Sequence, residues 1–385
     1  MDVIVIGGGA SGLTYAICSA KKGNAVTLLE SNSRVCKKLL LTGGGRCNIT
    51  NANLSAEEYN NPAFVDKTFK NCSRQGYSDF LKDCGIYLSA PDEEGRVYPV
   101  TYSSASVCDC LRFSATRYGV NIVCDTTATA IEKKRKGYIV YADAKRFFAD
   151  KVVVAVGSSS QARPTNLDKL IDQRYLTATA PSLTPLKVSN NPKGLSGVRT
   201  RCNLTLLRGK EKVATQSGEL QFRDFGLSGI CTLNLSSHVA RSRVKGDKTP
   251  FYIEVDFIPE FSAEELKSIL LARQKQGYGK NEIFVGLLPN KIAEWLQKQN
   301  PTGDLDKAVC LSKHTLFENA QSVDYTLSQV TAGGVDVRYL DDGFNLPNGV
   351  TVLGEALDID GICGGYNLHF AIVSAIVSAN IANGV

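Results

Sequence analysis

The sequence predicts an α/β protein in which a parallel-sheet domain is interrupted by an inserted β-rich module and a helical module. Three observations predict it. Val3–Ile6 is a buried apolar strand running straight into Gly7-Gly8-Gly9-Ala10-Ser11-Gly12 and a helical stretch through Lys22. Comparable apolar strands, Lys151–Val156 and Val350–Leu353, recur far along the chain and also end at glycines. Between them the texture changes, first to short alternating runs and then to a stretch rich in Glu, Leu, Lys and Gln. A chain of 385 residues with 43% apolar and 21% charged residues has the length for two or three such modules and ordinary globular composition.

Taken in order, Val3–Ile6, the helix and a second strand Ala25–Leu29 make one βαβ unit. Val120–Val123 and Tyr138–Ala142 read as further strands, and a last helix spans about Asn367–Ala382. The domain is therefore of Rossmann type and discontinuous, comprising 1–185 and 327–385. Within the β-rich segment 186–260, Asn203–Leu207, Glu219–Phe222 and Tyr252–Phe257 alternate apolar and polar residues, as antiparallel strands do. Segment 261–326 is helical, and Ser262 with Glu265 forms a capping box at its start.

Several classes are excluded. No run of 18 apolar residues is present, so no membrane span is expected, and a strand in place of a basic-then-apolar leader argues against secretion. The twelve cysteines form no CxxC pair, and His238, His314 and His369 are scattered. Reduced thiols in a cytoplasmic protein and no metal site are the expectation. Net charge is +6, but Leu186–Ile258 alone holds 12 Lys/Arg against 6 Asp/Glu, whereas Pro259–Thr326 holds 8 against 9. The basic 187–248 segment is either solvated surface or the face that meets an anionic partner. Oligomeric state is not legible.

Gly7-x-Gly9-x-x-Gly12 carries the clearest chemistry. Gly7 permits the tight turn, Gly9 lets a pyrophosphate approach the backbone, and Gly12 lets helix and strand pack closely. Ala10 and Ser11 offer N–H groups at the positive helix end, and Glu30 with Ser31 closes the second strand where an adenosine ribose would lie. This predicts dinucleotide binding. At the other end, Gly354-Glu355 follows a strand and Gly364-Gly365-Tyr366-Asn367 opens the last helix. A second helix N-terminus at the same sheet edge suits a longer ligand, FAD rather than NAD, with Glu355 at the ribityl or pyrophosphate oxygens or acting as a helix cap. Thr42-Gly43-Gly44-Gly45-Arg46-Cys47-Asn48 exposes successive N–H groups beside a fixed cation.

These motifs, continuing to Thr50-Asn51 and including Val330–Val335, Gly218-Glu219 and Gly226-Leu227-Ser228-Gly229, resemble the BaiN/RdsA-like (YhiN-like) NAD(P)/FAD-dependent oxidoreductases, also labelled aminoacetone oxidase-like. The resemblance spans essentially the full chain. It implies an FAD domain interrupted by a β-barrel-like domain and a helical domain. It also implies that Lys38 belongs to the cofactor site, that Ala128 lies against the adenine, and that Gly157 closes a turn beside the cofactor. Departures from the family pattern are Ala155-Val156-Gly157-Ser158, Cys363 and His369, which bear on the reacting pocket.

The implied activity is NAD(P)H-driven reduction, through FAD, of a carbon–carbon double bond conjugated to a carbonyl. The substrate is uridine in ribosomal RNA or a small steroid-like enone; amine oxidation and a non-catalytic redox sensor are the alternatives. Arg46 is a candidate for stabilising developing charge, and Cys47 or His369 for supplying a proton, against packing roles for both and for Cys363. For RNA, Arg199, Arg201, Arg208, Lys210, Lys212, Arg241, Arg243, Lys245 and Lys248 would meet phosphate, and Phe222, Phe225 and Tyr252 would hold a base or pack in the core.

Overall fold

The computed structural model describes residues 1–161 and 165–381. The chain forms two compact units. Of the described residues, the first comprises Met1–Ser159, 165–179 and 331–381; the second is Ala180–Val330 with Ser160 and Gln161.

The first unit is built on a five-stranded parallel sheet in the order Thr351–Val352, Lys151–Val154, β1 (Asp2–Ile6), β2 (Ala25–Leu29), Asn121–Val123. Ile6 lies beside Leu29 and Val154, and Val154 beside Val352, so four strands end along one edge. The glycine turn, Glu30, Gly157 and Gly354-Glu355 all follow directly from that edge. The expected strands at 120–123 and 151–156 are each shorter at one end and that at 350–353 at both, because their terminal residues turn into the loops that carry glycine. Helix α1 (Ala10–Lys21) packs beside helix Tyr366–Ile381, whose residues are buried almost throughout. The expected end of that helix, Ala382, lies outside the described residues. A three-stranded antiparallel sheet, Ala128–Lys133, Tyr138–Ala142 and Lys145–Ala149, covers the unit, and the ribbon of Thr50–Asn51 with Arg96–Val97 adds a second small pairing.

The second unit is a seven-stranded antiparallel sheet in the order Thr315–Phe317, Phe251–Asp256, Arg199–Arg208, Glu211–Arg223, Gly226–Ser228, Leu186–Lys187, Gln321–Ser322. The β-rich and helical stretches separated in the sequence share one core here. Leu204, Phe222 and Ile253 of the strands cluster with Leu266 and Leu270 of helix Ala263–Lys275, Leu296 of helix Asn290–Gln299 and Val309 of helix Leu305–Lys313. The cause is strand Thr315–Phe317, which returns after the helices to pair with Phe251–Asp256, placing Phe317 against the Trp295 ring at 6.1 Å. The capping box forms as expected: Ser262 N–H donates to Glu265 Oε2 at 2.8 Å, and Glu265 N–H to Ser262 Oγ at 3.2 Å.

One element was not expected within the β-rich segment 186–260. Ile230–Val244 is a helix of 15 residues. Its sequence lacks an apolar stripe because its buried positions include Thr232, Asn234 and Ser236, and the two hydroxyls donate to backbone carbonyls, Thr232 to Ser228 O ahead of the helix and Ser236 to Leu233 O within it. Gly229 enters it at φ +101, where a Cβ would lie 2.1 Å from Glu219 O. Among the described residues no helix is long and apolar enough to cross a membrane.

Candidate functional site

At the carboxyl edge of the parallel sheet the three glycines divide the work as their spacing predicts. Gly7 sits at φ +105, and a Cβ there would meet Ala155 O at 2.4 Å; one on Gly12 would meet Gly7 O at 1.9 Å. Gly9, the helix N-cap with ordinary φ −80, has no atom within 4 Å of its Cβ position. Two glycines are thus required by the fold, while the third keeps space in front of the first N–H groups of α1. Gly8, not singled out from sequence, donates its N–H to Glu30 Oε2 at 2.8 Å and has no room for a side chain, Val35 Cγ1 being 2.5 Å from its Cβ position. Glu30 is buried; its Oε1 accepts from Asn32 N–H at 2.8 Å, Asn32 Nδ2 at 2.5 Å and exposed Ser31 Oγ at 3.4 Å. Oε2 retains a second lone pair suited to a ribose hydroxyl.

Ala10 opens α1. Ser11 is buried under Gly354, whose Cβ position lies 2.6 Å from Ser11 Oγ, so Ser11 is a packing residue. Gly157 adopts φ +71 with nothing near its Cβ position. Ala128 is buried at the start of its strand and its carbonyl accepts from the Asn166 amide. Glu355 forms an ion pair with Lys38 at 2.7 Å, and Lys38 also donates to Ser158 Oγ at 3.1 Å. Residues from both ends of the chain therefore meet across this edge. Lys38→Met is expected to raise the FAD dissociation constant about tenfold, or roughly 1.4 kcal/mol, if the negative charge it leaves uncompensated on Glu355 faces the cofactor's diphosphate, as the sequence motif implies. Fluorescence titration of the apoprotein checks it; unchanged affinity would assign the pair to stability alone.

Thr42–Asn48 forms a tight irregular turn. Thr42 Oγ1 donates to Leu39 O at 2.7 Å and Cys47 N–H to Thr42 O at 3.0 Å, while Gly43, Gly44 and Gly45 take φ of +57, +64 and +84. A side chain on Gly43 would meet Asn48 N at 2.8 Å, whereas Gly44 and Gly45 face open space. Arg46 is exposed, donates from Nε to Gly43 O at 3.3 Å, and lies 5.3 Å from the Tyr98 ring centre. Asn48 ties this turn to the last helix: with its amide oriented to satisfy both ends, NH2 donates to Val97 O and Thr50 O and the oxygen accepts from Gly365 N–H at 3.2 Å.

Gly364 and Gly365 take φ of +113 and +97, and a Cβ on Gly365 would strike Thr50 O at 2.3 Å. Asn51, quoted above as part of a motif but given no role, holds this turn through its donation to Gly364 O at 2.9 Å. Tyr366 and Asn367 act as staples. Tyr366 OH donates to Asn53 O at 3.1 Å, and the Asn367 amide exchanges two 2.9 Å hydrogen bonds with the Gly361 backbone.

The candidate proton donors sit differently from their expected role. Cys47 has no exposed surface, and burial pushes its thiol up to about 12. Burial pushes Cys363 up to about 12 as well. His369 is buried with Nδ1 2.9 Å from Thr50 Oγ1, its ring 4.2 Å from Tyr77 and 5.3 Å from Phe69; burial, with Arg74 second, lowers it to about 3. In the second unit, Phe222 is fully buried in the core and so is unavailable to a base.

Space at Gly9, Gly44, Gly45 and Gly157, N–H groups at the start of α1 and an acid at the end of β2 together fit an elongated dinucleotide. Fold and site define an FAD-binding oxidoreductase of Rossmann type. The chain belongs to the family described as HI0933-like protein Rossmann domain, whose model matches residues 1–381. It is 31% identical to a 3-dehydro-bile acid delta(4,6)-reductase of Clostridium scindens, over 98% of each chain. It is 26% identical to a ribosomal RNA dihydrouridine synthase of Haemophilus influenzae, over 98% of this chain and 97% of that one. Identity to the Escherichia coli protein of the latter name is 24%, over 97% and 96%.

Proposed function

We propose that this protein uses NAD(P)H to reduce a carbon–carbon double bond conjugated to a carbonyl, and that its substrate is uridine in ribosomal RNA. The observation that carries the reaction type is full-length similarity to proteins named for two reductions of the same kind, since the C5=C6 bond of uracil and a steroid 4-ene are both conjugated to a carbonyl. FAD, when bound, supplies hydride transfer. The chain's part is to hold it at the α1 N-terminus and Glu30, and to present Arg46 and the open Gly44–Gly45 backbone where negative charge develops on the carbonyl oxygen. The burial of Cys47 and His369 argues against either as proton donor, leaving solvent to protonate the second carbon.

The basic 187–248 segment supports RNA over a steroid. Arg199, Arg201, Arg208, Lys210, Lys212, Lys245 and Lys248 are exposed. Local pairing tempers this charge: Arg199 meets Glu219 at 3.0 Å and Arg208 meets Glu211 at 2.8 Å. Arg243 donates to Thr249 O at 3.2 Å and lies against Phe251, a structural role, and Arg241 is half-buried beside it in the same helix.

Purified protein with NADPH is expected to bleach its flavin and to convert uridine in ribosomal RNA to dihydrouridine, a gain of two hydrogens seen by nucleoside mass spectrometry. RNA affinity is expected to fall steeply with salt. Flavin bleaching without a modified nucleoside, but with reoxidation by a 3-oxo-4,6-diene steroid, would instead support the small-molecule reading that the 31% relative favours.

A further inference from the structure

The glycine turn is laced to the segment Arg96–Ser104. Ile49 N–H donates to Val97 O at 2.9 Å, and Ser104 Oγ donates to Leu40 O at 2.7 Å. On the surface these segments share, the Tyr98 ring is 5% exposed and meets both the Arg46 guanidinium, at 5.3 Å, and the Tyr102 ring, at 5.4 Å with planes 26° apart. Tyr102 itself is 50% exposed. Its backbone sits at φ +47, in a turn closed by Tyr102 N–H donating to Pro99 O at 2.8 Å. A bulky residue in the left-handed region costs energy and persists where its surroundings hold it there. Leu41 and Val100, each about half exposed, stand on the same pair of segments, and Val100 N–H donates at 2.9 Å to O of Tyr87, itself more than half exposed. Exposed apolar side chains are ordinarily scattered; a cluster marks a binding surface.

We propose that Tyr102, backed by Tyr98 and Arg46, is the platform on which the substrate's flat ring lies: an unpaired uracil base stacked on the open face of the Tyr102 ring. The inference rests on the function proposed above and places base recognition on this chain. An exposed arginine over a buried tyrosine, which is stacked in turn on an exposed one, gives an aromatic surface carried by the segment laced to the Gly44–Gly45 turn. Bases splayed from single-stranded RNA are held this way, and one stacked base is worth roughly 1–3 kcal/mol on alanine substitution.

The test compares binding of a fluorescein-labelled oligouridylate with that of an abasic oligonucleotide of equal length and charge, using flavin-loaded protein. Wild type is expected to prefer the oligouridylate by about tenfold. Tyr102→Gly, which suits the positive φ and so preserves the turn, is expected to bind both alike, while Tyr102→Phe keeps the preference. A preference undiminished in Tyr102→Gly, or none in wild type that binds both probes, would overturn the platform with the RNA reading intact. If wild type binds neither oligonucleotide, the RNA reading falls and the uracil platform falls with it.

Discussion

Gly12→Ala is expected to yield protein that is colourless and unstable, whereas Gly9→Ala yields protein that is colourless but stably folded. The added methyl at Gly12 would sit 1.9 Å from Gly7 O, a backbone atom that cannot swing aside. Helix α1 must therefore separate from β1, at a cost of about 3 kcal/mol or more. At Gly9 the methyl meets nothing of the protein and the backbone conformation is ordinary. Stability should change by no more than about 0.5 kcal/mol. The methyl instead occupies the approach to the first N–H groups of the helix, so FAD affinity should drop by well over tenfold. Absorbance near 450 nm per polypeptide and urea unfolding of the apoprotein separate the two effects. A stoichiometrically yellow Gly12→Ala protein of normal stability would contradict the packing argument; a yellow Gly9→Ala protein would contradict the placement of the diphosphate.

Acid sensitivity should trace to His369. Its imidazole is neutral in the folded protein down to about pH 3 because burial among Tyr77, Phe69 and Thr50 excludes the charged form. In the unfolded chain the same ring takes up a proton below about pH 6.5. The folded pKa lies below the unfolded one, so the unfolded state binds the extra proton between these values. Stability is then full above pH 6.5 and falls toward pH 3 at about 1.4 kcal/mol per unit. Between pH 6.5 and 4.5 this single group should remove about 2 kcal/mol, a large part of ordinary domain stability. Urea unfolding at the two pH values should show that loss in wild type and a much smaller one in His369→Gln. Equal losses in both proteins would place the acid sensitivity elsewhere.

The parallel sheet was legible because its signals are local: an apolar run, then a glycine forced by a turn. Gly7 and Gly12 announced their close contacts from spacing alone, while the structure leaves Gly9 in open space and buries Glu30 under hydrogen bonds from Gly8 and Asn32. Residues whose role depends on distant partners were less readable. Nothing near Lys38 in the chain points to Glu355, 317 positions away. Ser11, Tyr366 and Asn367 belong to the right motifs, yet their side chains face the protein. The helix Ile230–Val244 stayed hidden because polar Thr232, Asn234 and Ser236 are buried alongside Cys231, Leu235, Val239 and Ala240, which blurs the apolar periodicity. Cys47 and His369 are reactive types at suggestive positions, and burial, which no spacing reports, decides their state.

The order in which the pieces are made carries a consequence of the split first unit. Val154 finds its outer neighbour, Val352, only after some two hundred further residues have emerged from the ribosome. Ala180–Val330 has its own core and is complete by then. The nascent coenzyme site must wait, half-built and with its sheet edge bare, until synthesis is almost finished. A prematurely terminated chain lacks Gly354, Glu355 and the buried final helix, and so leaves the outer strand of the parallel sheet, Lys151–Val154, unpaired on one side.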